Sequence, residues 1–390
     1  MPVLFRLFTI ARPQKIAGAL LLVFLLQCLY VVNSRPLDQR ETETAFAGRR
    51  LWSASHLTRD WQPNFDESIL AVRAVGAVPA LMQILDADGS SARVYDAPDR
   101  VLSRLPFVLF GQWHGGALWW VARRLYGNEG GYVALALFCF SPPIILFSAR
   151  VRSDIFVAWG VFGLIFTAIG VAHTLYAPPK MWKVRILILG AALGITAAAN
   201  FVAALIGLIF AVAFILYLAP GRRLTGMAVL ALSCAFGLFV CWAIYGFSMG
   251  LLNHFRITLT ADTDQLARYA FHPSNWIFAG AFVLCVLIYV AWRRTRYFGN
   301  TAPLIVSCVL LIVLPGGYLN GSGNRLMFPL WAVPFLCVFI GGIFADLLET
   351  RFFGGRYHRY VRAVEVLLLV ANAALCLMAI HQGVRPWLEI

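Results

Sequence analysis

Residues 155–175 read IFVAWGVFGLIFTAIGVAHTL, an apolar stretch of the length needed to cross a lipid bilayer. It contains no Asp, Glu, Lys or Arg, so no charge opposes its burial in hydrocarbon. Ten further runs of this kind lie between charged or Gly/Pro-rich breaks. The sequence therefore predicts an all-α polytopic membrane protein with about eleven transmembrane helices, forming a single domain over residues 1–390. The other predicted spans are 13–33, 104–122, 131–148, 185–199, 201–219, 226–248, 275–292, 302–315, 326–346 and 363–381.

The composition excludes an ordinary soluble enzyme. Hydrophobic residues make up 61% of the 390 residues and charged residues 13%, whereas about a quarter of the residues are charged in soluble proteins. The net charge of +14 is spread over short loops beside the apolar runs and does not form one patch. We therefore expect a lipid bilayer, and no nucleic acid, as a partner.

The distribution of basic residues predicts the orientation of the helices. With the amino terminus inside, seventeen Lys and Arg residues lie in inside loops and six in short outside segments, as the positive-inside rule requires. A twelfth span at residues 67–85 would move most of those basic residues outside. Because Arg73, Gly76 and Pro79 also oppose a plain span there, we expect an amphipathic helix on the outer leaflet.

Residues 34–103 then form one long outer loop, which carries ten of the chain's 18 acidic residues. The loop starts with SRPLDQRETETAFAGRRLW, in which a helix beginning near Pro36 would place Asp38 and Glu41 on one face. We expect both carboxylates to face solvent. Carboxylates held at a membrane surface can deprotonate an acceptor hydroxyl or hold a divalent cation, although a solvated juxtamembrane helix would carry the same residues.

The motifs of soluble enzymes are absent from the sequence. It contains no Gly-rich phosphate loop, no HExxH, no GxSxG and no Cys/His cluster at metal-ligand spacing. No cofactor is required by the sequence, and a divalent cation stays an open alternative. Any chemistry must come from carboxylates and arginines at the outer face.

The arrangement resembles the GT-C class of polytopic glycosyltransferases, especially the protein O-mannosyltransferases and the bacterial aminoarabinose transferase. Those enzymes usually carry an Asp-Glu pair ahead of a Gly, as in DExxHxxxG. Here Glu41 matches the Glu before Gly48, Arg40 takes the Asp position, and Asp38 could substitute for that Asp.

Further segments carry the resemblance along the chain. In the family, the second helix has an ARLP-like start, to which Ser103-Arg104-Leu105-Pro106 is similar. The helix has an ARRLYG-like end, to which Ala122-Arg123-Arg124-Leu125-Tyr126-Gly127 is similar. The segment from Ser141-Pro142 to Asp154 has close to the family's spacing, which implies that Asp154 is the second carboxylate of the site. Asp154 or Ser153 would also cap the helix that follows.

A segment near the carboxyl end, residues 324–335, is similar to the family's RYLLPLLPF-like motif. Arg325 within it suits a phosphate ester because its planar guanidinium donates two parallel hydrogen bonds. It could equally be an interfacial anchor. Two family features are altered: residues 64–67 replace the HPPL-like motif, and Asn200 replaces a Lys.

The resemblance implies transfer of a sugar, with inversion, from a polyprenyl-phosphate donor to the hydroxyl of a lipid, glycan or protein acceptor at the outer, periplasmic or lumenal, face. Asp38 or Glu41 would activate the acceptor, and Asp154 would complete the carboxylates. The donor phosphate would be bound by Arg325, with Arg150 or Arg152. A bacterial inner membrane, with the site facing the periplasm, is the expected location.

Two other interpretations stay open. A transporter or flippase of a lipid-linked or polar solute would place ionisable residues near the bilayer midplane, whereas the predicted spans carry almost no charge apart from Glu365. A member of the family that has lost activity would also account for Arg40 and for residues 64–67.

Overall fold

The computed structural model describes residues 12–53, 68–85, 98–178, 182–247, 273–291, 297–316, 327–349 and 354–388. The prediction of an all-α protein is confirmed, since these ranges contain helices and no strand. The α-helices are α1 Arg12–Ser34, α2 Gln39–Ser53, α3 Ile69–Leu85, α4 Arg100–Cys139, α5 Pro142–Ser148, α6 Asp154–Thr174, α7 Trp182–Ala199, α8 Phe201–Leu218, α9 Arg223–Ile244, α10 Pro273–Ala291, α11 Tyr297–Gly316, α12 Met327–Glu349 and α13 Gly354–Leu388.

The chain is a multi-pass integral membrane protein. Within the described ranges, 7 helices are long and apolar enough to cross a membrane, and the bent pair α4–α5 would be an eighth span. The helices α10 and α11 contain shorter apolar segments, Ala279–Ala291 and Thr301–Leu310. The exact number of eleven spans therefore stays a prediction.

The third predicted span differs most from the structure. The break that the sequence predicts between the second and third spans is present: two helical segments of α4 meet at a kink at Gly127, which adopts φ 80°. Glycine reaches this region of φ at little cost, so one residue turns the chain. The prediction of an unbroken helix over 131–148 is wrong, because the helix ends before Ser141 and Pro142 begins α5 at a bend of 63°.

Two helices form the centre of the bundle. Of the seven candidate spans, α6 and α12 are the most enclosed, with 72% and 89% of their apolar windows buried. Phe335 of α12 packs against Phe162 and Phe166 of α6, at ring-centroid distances of 5.3 and 5.8 Å. Asp154 therefore lies at the amino-terminal end of one of the two most enclosed helices.

The helix predicted over 67–85 is present as α3, which packs closely against α2, and its place on the outer leaflet stays a prediction. A Cβ added at Gly48 of α2 would lie 2.6 Å from the Val72 carbonyl oxygen, and one at Gly76 would meet the Gly48 carbonyl oxygen. The indole Nε1 of Trp52 donates to the Arg73 carbonyl at 3.0 Å. Glycines at the crossing therefore let the two backbones approach one another.

We expect Gly76→Ala to lower the free energy of unfolding by about 1 to 3 kcal/mol, because an added methyl group would push α3 away from α2. The measurement is unfolding of the purified protein in mixed detergent micelles. The matched control is Gly116→Ala in α4, where an added Cβ meets no atom within 4 Å. That control should be neutral or slightly stabilising. Equal stabilities of the two variants would contradict the close helix crossing.

Candidate active site

The first residues of α2, the first residues of α4 and the segment 149–153 meet at a buried ion pair. Glu41 of α2 and Arg104 of α4 are 2% and 1% exposed. Arg104 Nε donates to Glu41 Oε1 at 3.0 Å, and its Nη2 donates to Oε2 at 2.5 Å. This two-pronged geometry is the strongest form of the arginine–carboxylate interaction.

Arg104 also binds the carboxyl-terminal end of α1. Its Nη1 donates to the carbonyl oxygens of Val32 and Arg35 at 3.3 and 2.7 Å, and its Nη2 donates to that of Pro36 at 2.8 Å. The last carbonyls of a helix lack partners within the helix, and a cation there is favoured by the helix dipole. One guanidinium therefore joins α1, α2 and α4.

Both oxygens of Glu41 are occupied by donors. Besides the Arg104 bonds, Oε1 accepts from the Val151 backbone N–H at 2.9 Å and Oε2 accepts from that of Asp38 at 3.1 Å. Burial by itself raises the pKa of Glu41, but the hydrogen bond and charge of Arg104, with the two amides, outweigh it, so the pKa lies below that of an ordinary glutamate. The prediction that Glu41 faces solvent is wrong, because its carboxylate is buried in an ion pair that neutralises the buried Arg104 guanidinium.

Asp38 occupies the position immediately before α2. Its Oδ1 accepts from the Glu41 backbone N–H at 2.7 Å, and Glu41 returns the bond to the Asp38 N–H, as in a helix capping box. The residue is only half-buried. Its second oxygen, Oδ2, has no hydrogen-bond partner among the residues that the structure describes. Of the two carboxylates predicted as the base, Asp38 is therefore the one that could accept a proton.

The segment before α6 brings the other predicted residues together. Arg150, Arg152 and Asp154 are at most 4% exposed, and the two positive charges act on the Asp154 carboxylate. Asp154 is the first residue of α6, where the helix dipole favours an anion. The cap position belongs to Ser153, whose side chain makes no capping hydrogen bond. The Val151 bond to Glu41 fixes this segment against the start of α2.

Positive charge exceeds negative charge among the buried residues of this region. Arg35, which was not among the predicted site residues, is 6% exposed, and its backbone carbonyl is one of those that accept from Arg104. Four buried arginines therefore accompany two buried carboxylates and the half-buried Asp38. Such an excess suits an anionic ligand. The four arginines are Arg35, Arg104, Arg150 and Arg152, and the two carboxylates are Glu41 and Asp154.

Two remaining sequence features have different outcomes. Arg325 and residues 64–67 lie outside the described residues. Asn200, which stands where the family commonly has a Lys, caps α8, since its Oδ1 accepts from the Ala203 N–H at 3.0 Å. Within the described part of the chain, no group of three or more His, Cys, Asp or Glu could hold a metal ion.

The architecture can be compared with solved structures. Apo ArnT from Cupriavidus metallidurans has a TM-score of 0.60 with 13% identity, over 95% of this chain and 75% of that chain. ArnT bound to undecaprenyl phosphate gives 0.60 with 12% identity over the same shares. The fold is GT-C-like. The apo oligosaccharyltransferase of Archaeoglobus fulgidus gives 0.53 with 10% identity, over 93% of this chain and 56% of that chain.

The expected GT-C-like architecture is thus confirmed at the level of the fold. In sequence, no family model and no curated protein matches the chain. The likeness therefore lies in the arrangement of helices, and the chemistry must be argued from this chain's own residues.

Proposed function

We propose that this protein is a membrane glycosyltransferase that moves a sugar from a polyprenyl-phosphate donor to an acceptor hydroxyl. The reaction takes place at the end of the bundle that carries Asp38 and Asp154, on the outer side of the membrane. The observation that carries the proposal is the buried, arginine-rich cluster beside a half-buried carboxylate, within a GT-C-like fold. One of the structures with this fold, ArnT, is bound to undecaprenyl phosphate, a lipid of the proposed class.

Asp38 acts as the base in this proposal. Its Oδ2 accepts the proton of the acceptor hydroxyl, and the acceptor oxygen attacks the anomeric carbon of the sugar. The bond from that carbon to the phosphate oxygen breaks on the opposite face, so the configuration inverts and polyprenyl phosphate leaves. The hydrogen bond from Glu41 N–H to Oδ1 holds the Asp38 side chain in one orientation during the transfer.

The arginines stabilise the charge on the departing phosphate. Arg150 and Arg152 precede α6 in a buried segment that the Val151 N–H bond to Glu41 fixes in place. Donors that are already positioned lower a barrier most effectively, because they need not move. Arg325 contributes from the carboxyl-terminal half of the chain. The carboxylate of Asp154 balances part of the positive charge of Arg150 and Arg152.

The test is incubation of the purified protein in nanodiscs with radiolabelled undecaprenyl-phosphate hexoses and pentoses, together with a membrane extract as the acceptor source. With the label in the lipid, we expect labelled undecaprenyl phosphate to be released. With the label in the sugar, we expect it to appear in a new product. The matched control is a phosphonate analogue whose sugar is joined through carbon, from which no phosphate can leave. No cleavage of any donor tested, together with movement of intact donor between leaflets after reconstitution into sealed vesicles, would contradict the proposal and favour a flippase.

A further inference from the structure

A cavity lies at the opposite end of the bundle from the candidate active site. It has a volume of about 760 Å³ and is bordered by α4, α6 and α7. Its wall on α6 includes Gly170 and Thr174, at the end of the helix that Asp154 begins. At 1.5 Å per residue, α6 is about 30 Å long, which equals the thickness of the hydrocarbon core. The cavity therefore lies at the other membrane boundary.

The walls of the cavity are mainly apolar, with basic residues among them. Trp120, Phe166 and Ile188 provide hydrocarbon and aromatic surface, whereas Arg124 and Arg185 provide positive charge. Among the described residues that line the cavity, none is acidic. Trp120 and Ile188 are 53% and 43% exposed, so this side of the cavity faces the surroundings of the bundle, which in a membrane are lipid chains.

Arg185 of α7 lies against α6 beside the cavity. A Cβ added at Gly170 would be in ordinary van der Waals contact with Arg185 Nη1, at 3.5 Å, so the guanidinium reaches the surface of α6. Arg185 is accordingly half-buried, whereas Arg124 of α4 is exposed. A guanidinium positioned in this way can donate two hydrogen bonds to one phosphate.

We propose that this cavity binds an anionic phospholipid from the leaflet opposite to the active site. Its phosphate lies between Arg124 and Arg185, and one acyl chain lies along Trp120, Phe166 and Ile188. Charge complementarity supports an anionic headgroup, since the described part of the lining carries two arginines and no carboxylate. The predicted orientation of the helices makes this leaflet the cytoplasmic one. The site is separate from the proposed donor site and needs no sugar transfer to be occupied.

The test is native mass spectrometry of the purified protein titrated with phosphatidylglycerol or with phosphatidylcholine of identical chains. We expect wild-type protein to bind the first phosphatidylglycerol molecule at least about tenfold more tightly than phosphatidylcholine, because the choline cation of phosphatidylcholine is repelled by the two arginines. Arg124→Gln and Arg185→Gln should each reduce this preference, and the double variant should remove it.

The matched control is Lys183→Gln, which removes an exposed positive charge from α7 without altering the cavity lining. It should keep the preference for phosphatidylglycerol. Equal binding of the two lipids by wild-type protein, which requires no variant to fold, would overturn the proposal. An unchanged preference in the double variant would also overturn it, and so would retention of added undecaprenyl phosphate in place of phosphatidylglycerol.

Discussion

Asp38→Asn is expected to lower the rate of sugar transfer by about two orders of magnitude or more, because the amide cannot accept the proton of the acceptor hydroxyl. The variant should fold normally. Asparagine is as good as aspartate at the position before a helix, so its side-chain oxygen can still accept the Glu41 N–H bond. The measurement is the initial rate of undecaprenyl phosphate release from the donor identified with wild-type protein.

Glu43→Gln is the matched control for this variant. Glu43 lies on an exposed part of the same helix, and its side chain bonds to Gln39 at 2.9 Å. The substitution also removes one acidic charge, but we expect the transfer rate to stay within about a factor of two of wild type, since surface substitutions of this kind have small effects. Wild-type rates in Asp38→Asn would exclude Asp38 as the base, even if the protein is a glycosyltransferase.

Arg104→Met is expected to lower the free energy of unfolding by about 3 to 5 kcal/mol, because it leaves the Glu41 carboxylate buried without its charge partner. It also removes the donors to the Val32, Arg35 and Pro36 carbonyls. Glu41→Gln should cost less, since the glutamine oxygen can still accept the Val151 N–H. Because the pKa of Glu41 is lowered, the ion pair is fully formed at neutral pH, where unfolding in mixed micelles should be measured.

The structure contains a second ion pair that serves as the control. Arg362 and Glu129 approach within 3.6 Å, but their side chains are 63% and 53% exposed. Arg362→Met should therefore cost no more than about 1 kcal/mol. In the buried pair, the double variant Arg104→Met with Glu41→Gln should be less destabilised than the sum of the two single variants. Additive losses would mean that the two side chains do not act as a pair.

The sequence was sufficient to predict most of the helices. An uncharged apolar run such as 155–175 predicts a helix by its length alone, and both ends of α6 lie within one residue of the ends of that run. The break predicted between residues 122 and 131 coincides with Gly127, where the two helical segments of α4 meet at a kink. The bend at Ser141–Pro142 could have been found, since a residue before proline is disfavoured in a helix.

The candidate site was predicted only in part. The resemblance drew attention to Asp38, Asp154 and the arginines beside it, and the structure brings Arg150, Arg152 and Asp154 together. The burial of Glu41 was missed because it depends on Arg104, 63 residues further along the chain, and helix periodicity carries no information about such a contact. The sequence does contain a sign of this contact: Arg104 lies at the start of an apolar span, where a charged side chain requires a partner.

The ion pair between Glu41 and Arg104 also has a consequence for biosynthesis. Glu41 emerges from the ribosome 63 residues before Arg104 and 110 residues before Val151. At about 5 to 20 residues per second, the carboxylate waits about 3 to 13 s for its charge partner and about 5 to 22 s for the amide. During that interval it must stay hydrated, since burial without a partner is strongly unfavourable. The junction of α1 and α2 can therefore reach its final position only after α4 has begun to enter the membrane.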